Sequence, residues 1–355
     1  MHLLTSAGTP AIAIGLRARA IAIDAAGEGI TGRASTALPF PTSTLAPEDT
    51  RRLLVADWGL GKGRVQDGEA ALAFVADPFP EHPVPGFASA RGTVLRVTYA
   101  AGSFSHDTGG AQFYNLWNDT APAGSPAPAM SDLASADVGF GSLLLEYEVA
   151  FDAEFDWVKG GKLPGLRGGL DSTGCSGGNE PAGDACFSTR LMWRKGGEGE
   201  VYAYIPTTEA LCEEDEITCN DDYGVSIARG SFGLVAGKWN RIALLIQLND
   251  PPSASNGIVQ LYYNGLPALT QQNLRIRTTS DVLANGLFFS TFFGGADSTW
   301  ATTNTTHTYF RNIGMWGSSQ ASTGVMNNHA RRNGGPDMLT VLLAMGLAAV
   351  AAWAL

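Results

Sequence analysis

Short alternating or apolar runs, each closed by Gly, Pro, Asn or Asp, recur from Thr93 to Trp316, and this recurrence constrains the fold more than any other feature. TVLRVTY (93–99), SLLLEYEVAF (142–151), KWNRIALLIQL (238–248), GIVQLYYNG (257–265), GLFFSTFF (286–293) and HTYFRNIGMW (307–316) have the length and patterning of strands. Long amphipathic helical patterns are scarce over the same span, and 44 glycines supply many tight turns. The expected fold is therefore all-β, a two-sheet sandwich of jelly-roll type with a concave cleft. Residues 46–317 form one domain by this reading, long enough to bury a single core. No internal repeat is found.

Residues 186–206, CFSTRLMWRKGGEGEVYAYIP, read as a hairpin with one polar and one apolar face. Ser188, Arg190, Met192 and Arg194 share one parity with each other, and Tyr202 and Tyr204 alternate with Val201, Ala203 and Ile205. A turn centred on Gly197 places Arg190 opposite Tyr204, Met192 opposite Tyr202 and Arg194 opposite Glu200. A slip of one residue would turn the tyrosines to the apolar side, which the pattern opposes. An ordinary solvated sheet face is the competing reading of the hairpin alone.

Just upstream, FDWVKGGKLPGLRGG sets Lys159, Lys162 and Arg167 among glycines and a proline, the composition of an ordered loop that carries cations. The whole chain has a net charge of −11, so a confined basic patch points to a specific anionic ligand and away from nucleic acid.

The runs KGGKLPGL, GCSGG, CFSTRLMWR and GEGEVYAYIP resemble polysaccharide lyase family 14, whose members cleave polyuronates, and are similar to the family 20 glucuronan lyases. VLRVTYAAGSFS, GGAQFYNLW and HTYFRNIGMWG extend the likeness over roughly residues 75–317. The resemblance implies a catalytic set of Lys162, Ser188, Arg190, Tyr202 and Tyr204. Lys159, three residues before Lys162, competes for the lysine's place. It also implies His106 in SFSHD and Gln112 in GGAQFY as secondary cleft residues, and Lys159 and Arg194, basic residues of this region, are read as further substrate contacts. β-Elimination removes a weakly acidic C5 proton beside a charged carboxylate, so cations must neutralise that carboxylate and a base must take the proton. Arg190 offers a planar fork, Lys162 a compact charge, and a tyrosine beside a cation a proton-transfer group. Tyr204 is favoured for proton transfer because of its expected cross-strand arginine, and Ser188 for contacting substrate or orienting Arg190.

Cys175, Cys186, Cys212 and Cys219 fall in one loop-rich stretch, which predicts two disulfides. Pairing of neighbours, Cys175 with Cys186 and Cys212 with Cys219, would brace the hairpin's flanks, and three connectivities are open. No Cys-x-x-Cys spacing or His partner accompanies them, so no metal and no cofactor are expected; EEDE between Cys212 and Cys219 reads as a solvated acidic loop.

Sequons at Asn118 and Asn304 fit secretion. The uncharged segment 338–355 after a polar spacer at 318–337 reads as a lipid-anchor signal with attachment at Asn327 or Asn328, or else as a retained tail anchor, and predicts membrane contact. The expected location is secreted or cell-surface. The N-terminal run from Pro10 to Leu16 is interrupted by Arg17 and Arg19 and makes a poor secretory signal, and residues 1–45 read as a leader with little core-forming pattern.

Three function classes compete: a lyase acting on an acidic polysaccharide, a non-catalytic carbohydrate-binding sandwich, and a glycoside hydrolase. The hydrolase needs two carboxylates across the cleft, and the hairpin has only Glu198 and Glu200.

Overall fold

A computed structural model describes residues 34–87, 92–117, 139–170, 175–178, 181–220, 223–322 and 324. In chain order the strands begin with β1 (Ala34–Ala37), β2 (Leu72–Ala76), β3 (Thr93–Tyr99), β4 (Ala111–Leu116) and β5 (Ser142–Phe151). The middle of the chain forms β6 (Gly160–Gly169), β7 (Cys186–Arg194), β8 (Glu198–Tyr204), β9 (Ile217–Thr218) and β10 (Val225–Gly233). β11 (Asn240–Gln247), β12 (Gly257–Tyr263), β13 (Leu266–Leu274), β14 (Ala284–Phe293) and β15 (Thr306–Ser318) complete the set. An eight-stranded sheet runs β13-β12-β11-β5-β15-β3-β2 with β1 on β15, and a seven-stranded sheet runs β4-β14-β6-β7-β8-β10-β9. The two sheets are antiparallel and pack face to face, the jelly-roll sandwich expected.

The alternation read from sequence sorts side chains between the faces. On β5, Leu143, Leu145, Tyr147, Val149 and Phe151 enter the inter-sheet core, while Leu144 and Ala150 join smaller clusters on the other face. β7 and β8 contribute Phe187, Leu191, Trp193, Val201 and Ala203 to the same core. Trp193, fully buried, packs against Tyr99, Phe151, Phe155 and Phe293. Truncating it to alanine would cost about 3–5 kcal/mol of stability, the usual loss for a large buried aromatic.

Two expectations are corrected. The glycine-rich segment expected to be a loop is β6, a central strand. Its glycines serve close packing: a Cβ on Gly161 would lie 2.1 Å from the Trp193 ring, and one on Gly165 would lie 1.9 Å from the Thr189 carbonyl oxygen. Pro164 is tolerated because it sits at a bulge. Leu163 faces Leu191 but Leu166 faces Thr189, so β6 holds one residue more than β7 between these pairs. That extra residue inverts the alternation. Lys162 and Arg167, which opposite parity would send to opposite faces, pair with Met192 and Ser188 on one outer face.

The domain also begins earlier than residue 46 and ends later than 317. β1 pairs Ala34 to Ala37 with Gly317 to Gly314, Phe40 lies 5.6 Å from Trp58, and the Trp58 indole donates to the Pro39 carbonyl at 2.8 Å. At the other end Ser322 bridges to Asn249. Asn118, Asn327, Asn328 and the segment 338–355 lie outside the described residues, and no helix among the described ones is long and apolar enough to cross a membrane.

Candidate active site

The β7–β8 hairpin keeps the expected parity in a different register. Ser188 faces Tyr204, Arg190 faces Tyr202 and Met192 faces Glu200, each two residues from the expected pairing. The reason is the turn: Gly196 and Gly197, at φ 73° and 87°, take the bend over Lys195–Gly197 and move its centre one position upstream. A shift of one turn position changes each cross-strand partner by two and leaves the faces intact. Arg190 still reaches Tyr204 diagonally, its guanidinium 5.6 Å from that ring.

On the outer face of the seven-stranded sheet these side chains line a cleft of about 470 Å³. Lys162, Arg190, Met192, Arg194, Tyr202 and Tyr204 all contribute to its wall. Lys162 comes from β6, its ammonium 3.4 Å from the centre of the Tyr202 ring and 2.8 Å from the Met192 sulfur. Arg190 donates through Nη1 to the Ser290 hydroxyl at 3.0 Å, lies 4.4 Å from the Phe288 ring, and has no hydrogen-bond partner for its buried Nε. Neither Lys162 nor Arg190 pairs with a carboxylate among the described residues. The Tyr202 and Tyr204 rings meet edge to face at 5.8 Å.

The sequence profile "Polysaccharide lyase 14" matches residues 88–313. The chain belongs to polysaccharide lyase family 14. Its structure is similar to that of the family 14 alginate lyase from Aplysia kurodai, at 30% identity over 81% of this chain and 98% of that one, with a TM-score of 0.61. A variant of the alginate lyase Aly36B, solved with an alginate tetrasaccharide, shares the fold at 18% identity, 83% and 100% coverage and a TM-score of 0.57. No match is found among curated proteins.

The remaining candidates of the lyase separate by position. His106 and Gln112 both line the cleft. Gln112 accepts from Ser290 at 3.2 Å and donates to Asp67 at 3.2 Å, and Asp67 also lies 3.2 Å from His106 Nδ1. Arg190, Ser290, Gln112, Asp67 and His106 thus form one polar chain across β7, β14 and β4. Between the two competing lysines, the cleft takes Lys162. Lys159 is exposed at the rim, donating to Thr299 at 2.5 Å and standing 5.8 Å from the Trp300 ring that lines the cleft.

Ser188 requires a correction as a substrate contact. It is fully buried, absent from the cleft wall, and donates to the Cys175 carbonyl at 2.6 Å. Its hydroxyl therefore ties down the loop before β7. The disulfides are Cys175–Cys186 and Cys212–Cys219, the neighbour pairing. The first joins that loop to β7 and brings Ser176 and Gly177 to the cleft edge. Among the described residues no cluster of His, Cys, Asp or Glu could hold a metal ion.

Sequence reasoning missed Glu200 as part of this site. It is fully buried, and its carboxylate accepts from Arg194, from the Ser226 hydroxyl at 2.7 Å and from Arg229 at 2.7 Å. Arg229 also lines the cleft, from β10. No short motif links residues 200, 226 and 229; only strand pairing joins them.

Burial controls the ionisation of the cleft. Desolvation, then the nearby Arg190 and Arg194, hold the Lys162 ammonium well below the ordinary lysine range, with Glu200 opposing them. Burial also lowers Arg190 from its usual value. It raises the Tyr202 phenol above its ordinary value, although Arg194, Arg190 and a backbone hydrogen bond from Gly224 pull the other way. Tyr202 therefore holds its proton.

Proposed function

We propose that this lyase cleaves a β-1,4-linked polyuronate of the mannuronan or glucuronan type by β-elimination and leaves an unsaturated uronate end. The observation that carries this reading is the convergence of Lys162, Arg190, Tyr202 and Tyr204 on one cleft wall, with two buried cations that lack carboxylate partners among the described residues. A uronate carboxylate is the complementary group. Arg190 binds it through the fork, and Lys162 neutralises the charge that builds up as C5 loses its proton.

Tyr204, beside the Arg190 guanidinium, takes the C5 proton on its phenolic oxygen. The C5–H electron pair becomes the C4–C5 double bond, the C4–O bond breaks, and Tyr202 supplies its retained proton to the leaving oxygen. In β-linked mannuronate and glucuronate the C5 proton and the C4 oxygen lie on the same side, so two neighbouring phenols reach both. Proton exchange between the tyrosines or with water restores the starting state.

Incubation with mannuronan and with glucuronan tests the proposal. Ultraviolet absorbance from unsaturated ends is expected. Reducing ends without that absorbance would mean a hydrolase, and binding without either product would mean a carbohydrate-binding protein.

The proposed setting is outside the cytoplasm, at the cell surface. Two disulfides support it, as does the exposed Asn304 of one sequon. Loss of mass on enzymatic deglycosylation, and release of the protein from cells by a phospholipase that cuts lipid anchors, would test the two parts.

A further inference from the structure

A second positive corner of the cleft takes no part in the chemistry proposed above. β10 leaves its ladder with β8 between two pairs: Ile227 faces Val201, but Phe232 faces Gly199, with more residues on β10 than on β8 between them. The surplus forms a bulge in which Ala228 adopts φ 50° and Gly230 φ 82°. A left-handed alanine is an uncommon conformation that costs free energy and needs surrounding contacts to hold it. The bulge brings Arg229 against β8, where Nε donates to Glu200 at 2.7 Å and Nη2 reaches the Ser226 hydroxyl at 3.4 Å.

Glu200 does not need this second arginine for charge balance. It is already paired with Arg194 and accepts from Ser226 at 2.7 Å. Two guanidiniums on one buried carboxylate leave a net positive charge at the wall. Arg194 Nε has no hydrogen-bond partner, and the Arg229 side chain is 47% exposed while lining the cleft. Glu200 thus holds two forks at fixed positions with donor capacity left over. Between Arg190 on β7 and Arg229 on β10 lies β8, which puts Arg229 about 10 Å across the sheet from Arg190, while Arg194 lies further along β7, 6.0 Å from the Tyr202 ring.

We propose that Arg194 and Arg229, held by Glu200, form a second carboxylate-binding subsite that takes a neighbouring uronate along the polymer, apart from the one held by Lys162 and Arg190. This rests on the polyuronate reading of the cleft. Arg229 is a substrate-contacting residue in this assignment, and Glu200 a positioning residue.

Calorimetric titration with mannuronate and glucuronate oligomers of increasing length tests it, in the Tyr204→Phe background so that turnover does not consume the ligand. Adding Arg229→Gln should weaken binding of long oligomers about tenfold, the value of one charge-assisted contact, and that of a trimer less than twofold. Arg229→Lys should recover part of the loss because it keeps the charge. Equal affinity at all lengths, an equal loss at all lengths, or a lower melting temperature without any change in affinity would each overturn the subsite. The readout is independent of turnover: a length-dependent loss, together with a wild-type protein that makes no unsaturated ends, would keep the subsite and sink the elimination mechanism.

Discussion

The outer faces of the two sheets both carry buried charge, and they handle it in opposite ways. On the eight-stranded sheet Arg241 and Arg311 each have an acid. Arg241 pairs with Glu146, and Arg311 with Glu148 at 2.8 Å and with Asp77, while stacking 3.9 Å from the Trp239 ring. Asp152 accepts from His307, Tyr309 and Thr306; burial raises its pKa, but those hydrogen bonds outweigh burial and hold it below the ordinary value. On the seven-stranded sheet Lys162 and Arg190 are equally buried, and their polar partners are a sulfur and a hydroxyl. A face that satisfies its charges internally serves stability. One that leaves cations short of acids stores a binding site for an anion, at a cost to stability.

The sharpest way to break this comparison lies at the cleft. Tyr204→Phe should lower kcat about a thousandfold, within the range for loss of a general acid–base group, with KM little changed. A variant retaining full turnover would remove Tyr204 from the chemistry. Lys162→Met should lower kcat about a hundredfold, and Arg190→Lys should also cost activity because the ammonium cannot reproduce the fork. Steady-state kinetics on mannuronan and glucuronan measure all three.

Stability should then change with opposite sign on the two faces. Glu148→Gln leaves Arg311 buried with one acid fewer, and denaturant unfolding should show a loss of about 3 kcal/mol with specific activity retained. Lys162→Met removes an unpaired buried ammonium and should gain about 1 kcal/mol. The folded-state pKa of Lys162 is lowered, so the unfolded chain binds the extra proton between the two values. The gain should therefore shrink as pH rises toward 10.5, the ordinary lysine value. A loss of stability in Lys162→Met would refute the idea of a strained cation.

The smallest effect is in the pH profile. Only protonated Lys162 neutralises the substrate carboxylate, so kcat/KM should fall as pH rises through its lowered pKa, earlier than an ordinary lysine would allow. Lys162→Arg should move that fall to higher pH. An unmoved limb would assign it to another group.

The fold and much of the cleft were legible in the sequence for a simple reason. Side-chain parity and apolar run length are local, so the six strand-like runs and the polar face of the hairpin could be read along the chain. Lys162, Arg190, Tyr202 and Tyr204 were recognisable through motifs, and the presence of two disulfides through the clustering of the four cysteines, with the structure choosing the neighbour pairing among three. Register was less legible, because Gly196 and Gly197 both permit the bend and only the packed hairpin selects one centre. β6 was misread as a loop because its glycines reflect the bulk of Trp193 and the approach of β7, neither of which its own residues announce.

By itself, then, the sequence determined which residues could share a face and what chemistry those residue types support, since both depend on neighbours along the chain. Tertiary structure decided which faces meet. The bulge at Pro164 turned Lys162 and Arg167 to the same side, the bulge after Ile227 brought Arg229 to Glu200, and Ser188 was claimed by the Cys175 carbonyl. These outcomes depend on hydrogen bonds and contacts between strands far apart in sequence, where alternation along any one strand has no say.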